Sequence, residues 1–452
     1  MNIATLLSQG GDSRITIDLA SGLNQYFCPP QPSAAITCLG SCTASPISEA
    51  GFAAAISAHH RLADDPAAIA AESDSVSRRL LDHWGAADLA KALLAPSGTD
   101  ATLLLMGLLA AETPRIPLVS ILAAASETGS GVPWAASGRH FSTLTPLGEA
   151  VAKGGLIKGF SPANLAMTVA LRHPDGTPRR PADVDQAFDV AVRNAPGRPI
   201  LHLIDGSKTG LNTLHRVPSG AEVIVDACQA RLDGARVRSY LDRGWPVLIT
   251  GSKFYGGPTF SGAVLFPKSR WSSRHEFQLP AGVAAYAANR STLLRWNAAL
   301  AEMDRFAAFP AAEAARRTRI LSGAARQRLC VLPGVTLLPA PIPDGEGWSA
   351  QQTIISFVVR DARAPARLMG LRDLRHIHQT LARSGILIGQ PVEISDHCAV
   401  LRLAIGARDI LDPNAEASLD RVCAALETLI ASDFCCDTGQ RIPLYADAIH
   451  AE

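Results

Sequence analysis

Val225-Asp226-Ala227-Cys228-Gln229-Ala230 closes one short apolar run. Ile249-Thr250-Gly251-Ser252-Lys253-Phe254-Tyr255-Gly256-Gly257-Pro258 closes the next. Both runs, Ala221–Ala227 and Pro246–Thr250, are brief, apolar and end in small or polar residues, the pattern of a strand buried on both faces. Pro117–Ala125 and Pro199–Ile204 read the same way, and Met167–Arg172 and Ser261–Pro267 are further strand candidates. Helical stretches alternate with these runs. The expectation is an α/β chain with a mostly parallel sheet and helices on both faces. In such sheets ligands bind at the carboxyl ends of the strands. Polar residues collect there in this chain: Asp205-Gly206-Ser207, Asp226, and Thr250 to Lys253.

Working outward, residues 1–50 are irregular and rich in Pro, Ser and Cys, and form an expected N-terminal arm near the mouth of the site. Residues 51–295 form the expected large domain. Residues 296–452 hold the rest of a long helical region (291–332), a Pro/Gly-rich loop, and a smaller α+β domain. That domain has strands at 352–359 and 398–406 and helices at 370–384 and 414–432.

The chain has 452 residues and a net charge of +1, which leaves no basic footprint for nucleic acid. The apolar runs 101–111 and 116–125 fall short of the roughly 20 residues needed to span a bilayer. The N-terminus lacks the basic and apolar regions of a signal peptide. Nine cysteines show no CxxC pair and no zinc-type spacing, so reduced thiols in the cytoplasm and no metal are expected. Six lysines stand against 36 arginines. Any lysine-dependent chemistry therefore has six candidates, and Lys253 alone stands 27 residues after an Asp-x-x-Gln strand end.

A third segment, Ala95-Pro-Ser-Gly-Thr-Asp-Ala101, opens an apolar helix. Free N–H groups at such a start suit a phosphate. In this order and spacing the three segments resemble the fold-type I enzymes that depend on pyridoxal 5′-phosphate (PLP), most closely the class V aminotransferase and cysteine desulfurase branch. The resemblance implies a large PLP-binding domain and a small α+β domain, a homodimer with active sites at the interface, and an amino acid or amine substrate. It assigns Lys253 to the Schiff base and proton transfer, and Asp226 to the pyridine nitrogen. Gln229 falls near the phenolic oxygen. Gly98, Thr99 and Asp100 fall at the phosphate, with Thr250 and Ser252 beside Lys253. Asp205 and Ser207 face the same crevice in the family pattern. Thr292 matches a phosphate ligand lent to the other subunit, and Arg402 matches the clamp on the substrate carboxylate, a task suited to Arg.

This sequence departs from the family at three places. No aromatic or His follows Pro117–Ala125, which leaves Glu127 or Thr128 to cover the ring. Ser252 stands where His often precedes the lysine. The small-domain segment Gly385–Pro391 lacks the desulfurase cysteine, and Cys398 reads as core. A persulfide mechanism is therefore not expected. The implied reaction is transamination, with β-elimination such as C–S lysis as the alternative and a non-catalytic binding protein of this fold as a further one. Gly206-Ser-Lys-Thr209 fails as a phosphate loop because Ser207 stands directly before Lys208, and no GxSxG elbow supports a hydrolase.

Overall fold

The computed structural model describes residues 2–62, 65–211, 216–272, 283, 289–340, 347–362 and 364–431. In chain order its strands are β1 (Thr37–Leu39), β2 (Ala90–Ala95), β3 (Leu118–Ala123), β4 (Leu165–Val169), β5 (Arg198–Ile204), β6 (Glu222–Ala227) and β7 (Val247–Thr250). They continue with β8 (Gly262–Pro267), β9 (Val335–Leu337), β10 (Ile354–Asp361), β11 (Ala364–Leu368), β12 (Ile386–Ser395) and β13 (Cys398–Ala404). Seven form one sheet in the order β2-β8-β7-β6-β5-β3-β4. Only β8 runs antiparallel to its neighbours, β2 and β7. Every strand expected for the large domain is present within a few residues.

Alternation along the strands sorts the core into two layers. Ile224, Leu248, Val264 and Phe266 pack with the helix Gly98–Glu112 on one face. Val225, Val247, Ile249, Ala263 and Leu265 pack on the other face. That layer is completed by the helices Glu49–Leu62, Pro66–His83 and Arg290–Ala307. The helix Gly98–Glu112 is apolar all round because it is buried all round. The boundary expected at 295/296 falls inside the helix Arg290–Ala307, and Pro310 then separates that helix from the next, Ala311–Cys330.

The smaller sheet has the order β1-β12-β13-β10-β11, with β9 paired to β10. Two of its strands correct the sequence reading. Gly385–Pro391, compared with a loop, is mostly strand β12, because Ile-Leu-Ile suits a buried strand and β13 pairs with it. The N-terminal arm is not irregular throughout. Thr37–Leu39 pairs in parallel with Ile386–Ile388 and extends the small sheet. Three residues give too short a pattern to read without the partner strand.

Among the described residues no helix is long and apolar enough to cross a membrane. Cys435 and Cys436 lie outside the described residues.

Candidate active site

A cavity of about 180 Å³ opens at the carboxyl ends of β5, β6 and β7, between the two sheets. Strand β6 carries Asp226 to its rim, where the Cys228 N–H donates to Asp226 Oδ1 at 3.1 Å. Strand β7 ends at Thr250, whose hydroxyl donates to the Cys228 carbonyl at 2.6 Å and ties the two strand ends together. The turn that follows is glycine because it lies against the helix Arg290–Ala307. A Cβ on Gly251 would sit 2.5 Å from the Ala299 methyl. That close approach sets the half-buried Lys253 on the cavity wall.

The helix Gly98–Glu112 points its N-terminus at the same space. Its cap is reciprocal: Ser97 Oγ accepts from the Asp100 N–H at 3.1 Å and donates to Asp100 Oδ2 at 2.6 Å. Gly98 and Thr99 line the cavity. A Cβ on Gly98 would meet Cys228 Sγ at 2.9 Å and Thr250 Cγ2 at 3.1 Å, so only glycine lets the helix start this close to the strand ends.

The structure gathers nine of the expected residues around the cavity: Gly98, Thr99, Thr128, Asp226, Gln229, Thr250, Ser252, Lys253 and Arg402. Four others lie outside its lining. Asp100 is buried in the first turn of its helix, where its carboxylate accepts from the Ser97 cap. Asp205 is buried against Arg236, at 2.8 Å, and accepts from Tyr240 Oη at 2.9 Å. Ser207 Oγ donates to Glu127 Oε2 at 2.5 Å. Thr292 is buried at the start of its helix, where its Oγ1 accepts from Arg295 Nη2 at 3.3 Å.

Glu127 lines the cavity, but its carboxylate is taken up on the far side. Arg172 Nε donates to Oε1 at 3.2 Å, and Thr209 Oγ1 donates to Oε2 at 2.6 Å. Both ends of this ion pair are buried. Gln229 also faces away from a simple contact role. Its Nε2 donates to the Cys42 carbonyl at 3.1 Å, and its Oε1 accepts from Arg231. It thereby pins the N-terminal arm to the strand ends.

Arg402 comes from the middle of β13 and is buried. Its guanidinium donates to Gln390 O from Nε (3.0 Å) and from Nη2 (2.5 Å), to Lys208 O from Nη1 (3.1 Å), and to Thr43 Oγ1 from Nη2 (3.0 Å). Every acceptor is an uncharged oxygen. Among the described residues no carboxylate lies in ion-pair range of Arg402.

Several lining residues are not singled out by the sequence: Arg14, Tyr26, Lys208, Phe260 and Gln390. Arg14 is held by Asp12 and lies 4.7 Å over the Phe260 ring. Tyr26 meets Phe260 edge-on at 6.0 Å. The aromatic wall thus comes from the arm and from the segment after Lys253, not from the segment after β3. Burial raises the Tyr26 hydroxyl above its usual range. The arm is expected at the mouth of the site, with Thr43 in its small polar run Gly40–Ser45, and no local signal singles out Arg14 or Tyr26 within it. A signal did exist for Lys208, which follows the end of β5 as Lys253 follows β7. Half-buried Lys208 donates from Nζ to the Ala125 carbonyl at 3.0 Å. Desolvation, then Arg402 and Lys253 nearby, bring its pKa down to about 7.

No family model matches the chain, and no curated protein matches it. Solved structures do. One is the cystine C–S lyase C-DES in complex with its product cysteine persulfide, at 13% identity and TM-score 0.56, covering 87% of this chain and 98% of that one. Another is the cysteine desulfurase CsdA of Escherichia coli, at 18% identity and TM-score 0.53, covering 87% of this chain and 94% of that one. The likeness is one of fold, and the chain has the mixed α/β architecture of the fold-type I PLP enzymes.

Proposed function

We propose that this chain is a PLP-dependent enzyme acting at the α-carbon of an amino acid, and specifically an aminotransferase. The observation that carries the reading is a single cavity lined by the Lys253 amine and the Asp226 carboxylate and closed at one end by the N-terminus of the helix Gly98–Glu112. The cradle fits the cofactor. Glycine at 98 leaves free the space that a Cβ would fill beside Cys228 and Thr250. The helix start offers N–H groups to a phosphate. Asp226, tethered by Cys228 N, is placed at a strand end where a protonated ring nitrogen would partner it.

When bound, PLP supplies an electron sink for a carbanion at the substrate α-carbon. The chain's own groups do the rest. Gly98, Thr99, Thr250 and Ser252 would hold the cofactor, and Asp226 would partner its ring nitrogen. Lys253 would supply the amine that anchors the cofactor and the base that moves the proton at the substrate α-carbon. Arg402 receives the substrate carboxylate. Its present acceptors are neutral oxygens, and an ionised carboxylate makes the stronger hydrogen bond. Holding that carboxylate favours loss of the α-proton over loss of CO₂. Tyr26, Phe260 and Val392 line the cavity with apolar surface that limits water.

A homodimer is part of the reading, as is a cytoplasmic location. The seven described cysteines are all free, which suits a reducing compartment. The test is spectroscopic. Purified protein given PLP should develop a visible band that borohydride bleaches, and Lys253→Ala should lack it. Protein that stays colourless with added PLP refutes the proposal. Conversion of the cofactor to its amine form by an amino acid supports transamination, whereas release of ammonia or sulfide without that conversion replaces it with β-elimination.

A further inference from the structure

Three cations on the cavity wall have no carboxylate in ion-pair range among the described residues: Lys253, Arg402 and Lys208. The other cation, Arg14, is neutralised by Asp12. Of the two acidic residues in the lining, Glu127 is paired behind the wall with Arg172. Only Asp226 remains to balance the three. The proposed function gives Lys253 to the cofactor, Asp226 to its ring and Arg402 to the substrate α-carboxylate. Lys208 is left over.

Its placement is built rather than incidental. The Lys208 N–H donates to the Glu127 carbonyl at 2.9 Å, and its own carbonyl accepts from Arg402 Nη1 at 3.1 Å. The next residues are held from the small sheet. Ser356 Oγ donates to the Thr209 carbonyl at 3.1 Å, and Gln352 Nε2 donates to the Gly210 carbonyl at 3.0 Å. The backbone of Lys208 is thus fixed beside the guanidinium that it would work with. Among the described residues its ammonium donates to the Ala125 carbonyl alone; Arg402 and Lys253 repel it, and Glu127, already paired with Arg172, offsets part of that repulsion. An anion in the cavity would relieve that repulsion.

We infer that Lys208 is a specificity-determining residue that receives the side-chain carboxylate of a dicarboxylic amino acid whose α-carboxylate lies on Arg402. The inference rests on the proposed PLP-dependent function. It goes further by naming the substrate class.

The test uses the full chain reconstituted with PLP. Succinate and glutarate are titrated against propionate and butyrate, with affinity read by calorimetry and by perturbation of the visible band. One added charge-assisted contact predicts dicarboxylates binding about tenfold more tightly than matched monocarboxylates. Lys208→Met, which keeps the apolar stem, should bring the two classes to within about twofold while leaving monocarboxylate affinity and the visible band in place. Lys208→Arg should retain the preference. Equal affinity for both classes, no binding of either, or a preference that survives in Lys208→Met overturns the inference. So does a Lys208→Met protein whose visible band is lost or shifted, which would place Lys208 on the cofactor. A wild-type protein with no band at all overturns the proposed function as well; a normal band without the preference overturns this inference alone.

Discussion

At the scale of single residues, the cavity depends on charges whose partners lie far away in sequence. Glu127 and Arg172 form a pair in which both side chains are almost fully buried. Removing one partner strands a charge in the interior, which costs more than the pair itself contributes. Arg172→Met should destabilise the chain by about 3–5 kcal/mol. The double variant Arg172→Met with Glu127→Gln should recover a large part of that loss. Urea unfolding of the two variants and the wild type checks both statements. Glu127 also illustrates what a sequence can say about one residue. Its position after β3 made it a candidate to lie on the cofactor ring. Nothing local indicated that Arg172, Ser207 and Thr209 would take its carboxylate, because those contacts span 45 to 82 residues. Lys208 is the opposite case: it follows the end of β5 as Lys253 follows the end of β7, so its place at the cavity is legible from strand ends alone.

At the scale of elements, the site is a meeting of ends: the carboxyl ends of β5, β6 and β7 and the start of the helix Gly98–Glu112. These were legible, because each strand is a short apolar run and the helix start carries its own capping residues. Gly98 is where the element geometry is least forgiving. Gly98→Ala places a methyl against Cys228 Sγ and Thr250 Cγ2 and should push the helix start away from the strand ends. The expected result is a PLP affinity lowered by about tenfold or more, since the lost N–H contacts are charge-assisted. Thermal stability should fall less, because the rest of the helix stays packed. Equilibrium titration of the visible band, beside a melting curve, separates the two effects. The small sheet was less legible. Strand β1 is three residues long and gains its identity only from pairing with Ile386–Ile388. β12 carries Gly389, Gln390 and Pro391 inside its run, residues that interrupt a strand pattern.

At the scale of the whole molecule, the two sheets are joined through the site. Arg402, Gln352 and Ser356 reach across from the small domain, and Cys42, held by Gln229, brings the arm over the strand ends. Each part also buries a histidine. His202 lies in β5, where burial pushes its pKa down to about 3. His378 lies in the helix Leu371–Arg383, where burial lowers it to about 4. Both pKa values are depressed, so between about pH 6.5 and pH 4 the unfolded chain binds more protons than the folded one. The stability owed to these two histidines is therefore full above pH 6.5 and falls as the pH drops through that window, by about 1.4 kcal/mol per unit for each. His83, held down to about 4 by burial, adds to the fall, and Asp409, pushed up to about 7 by burial, opposes it. Urea unfolding from pH 7 to pH 4 should therefore show a smaller loss of stability in His202→Leu than in the wild type.

The sequence by itself determined the succession of strands along the large domain, the helix whose N-terminus faces the cavity, and the placing of Asp226 and Lys253 at successive strand ends, because these rest on local periodicity and short-range spacing. Only the tertiary structure decided that Lys208 and Arg402 share a wall, that Arg14 and Tyr26 are arm residues that reach the cavity, and that Asp205, Ser207, Asp100 and Thr292 serve behind or outside it. The physical reason is that a side chain's partner is set by packing across elements. Packing depends on contacts hundreds of residues apart, which no local pattern records.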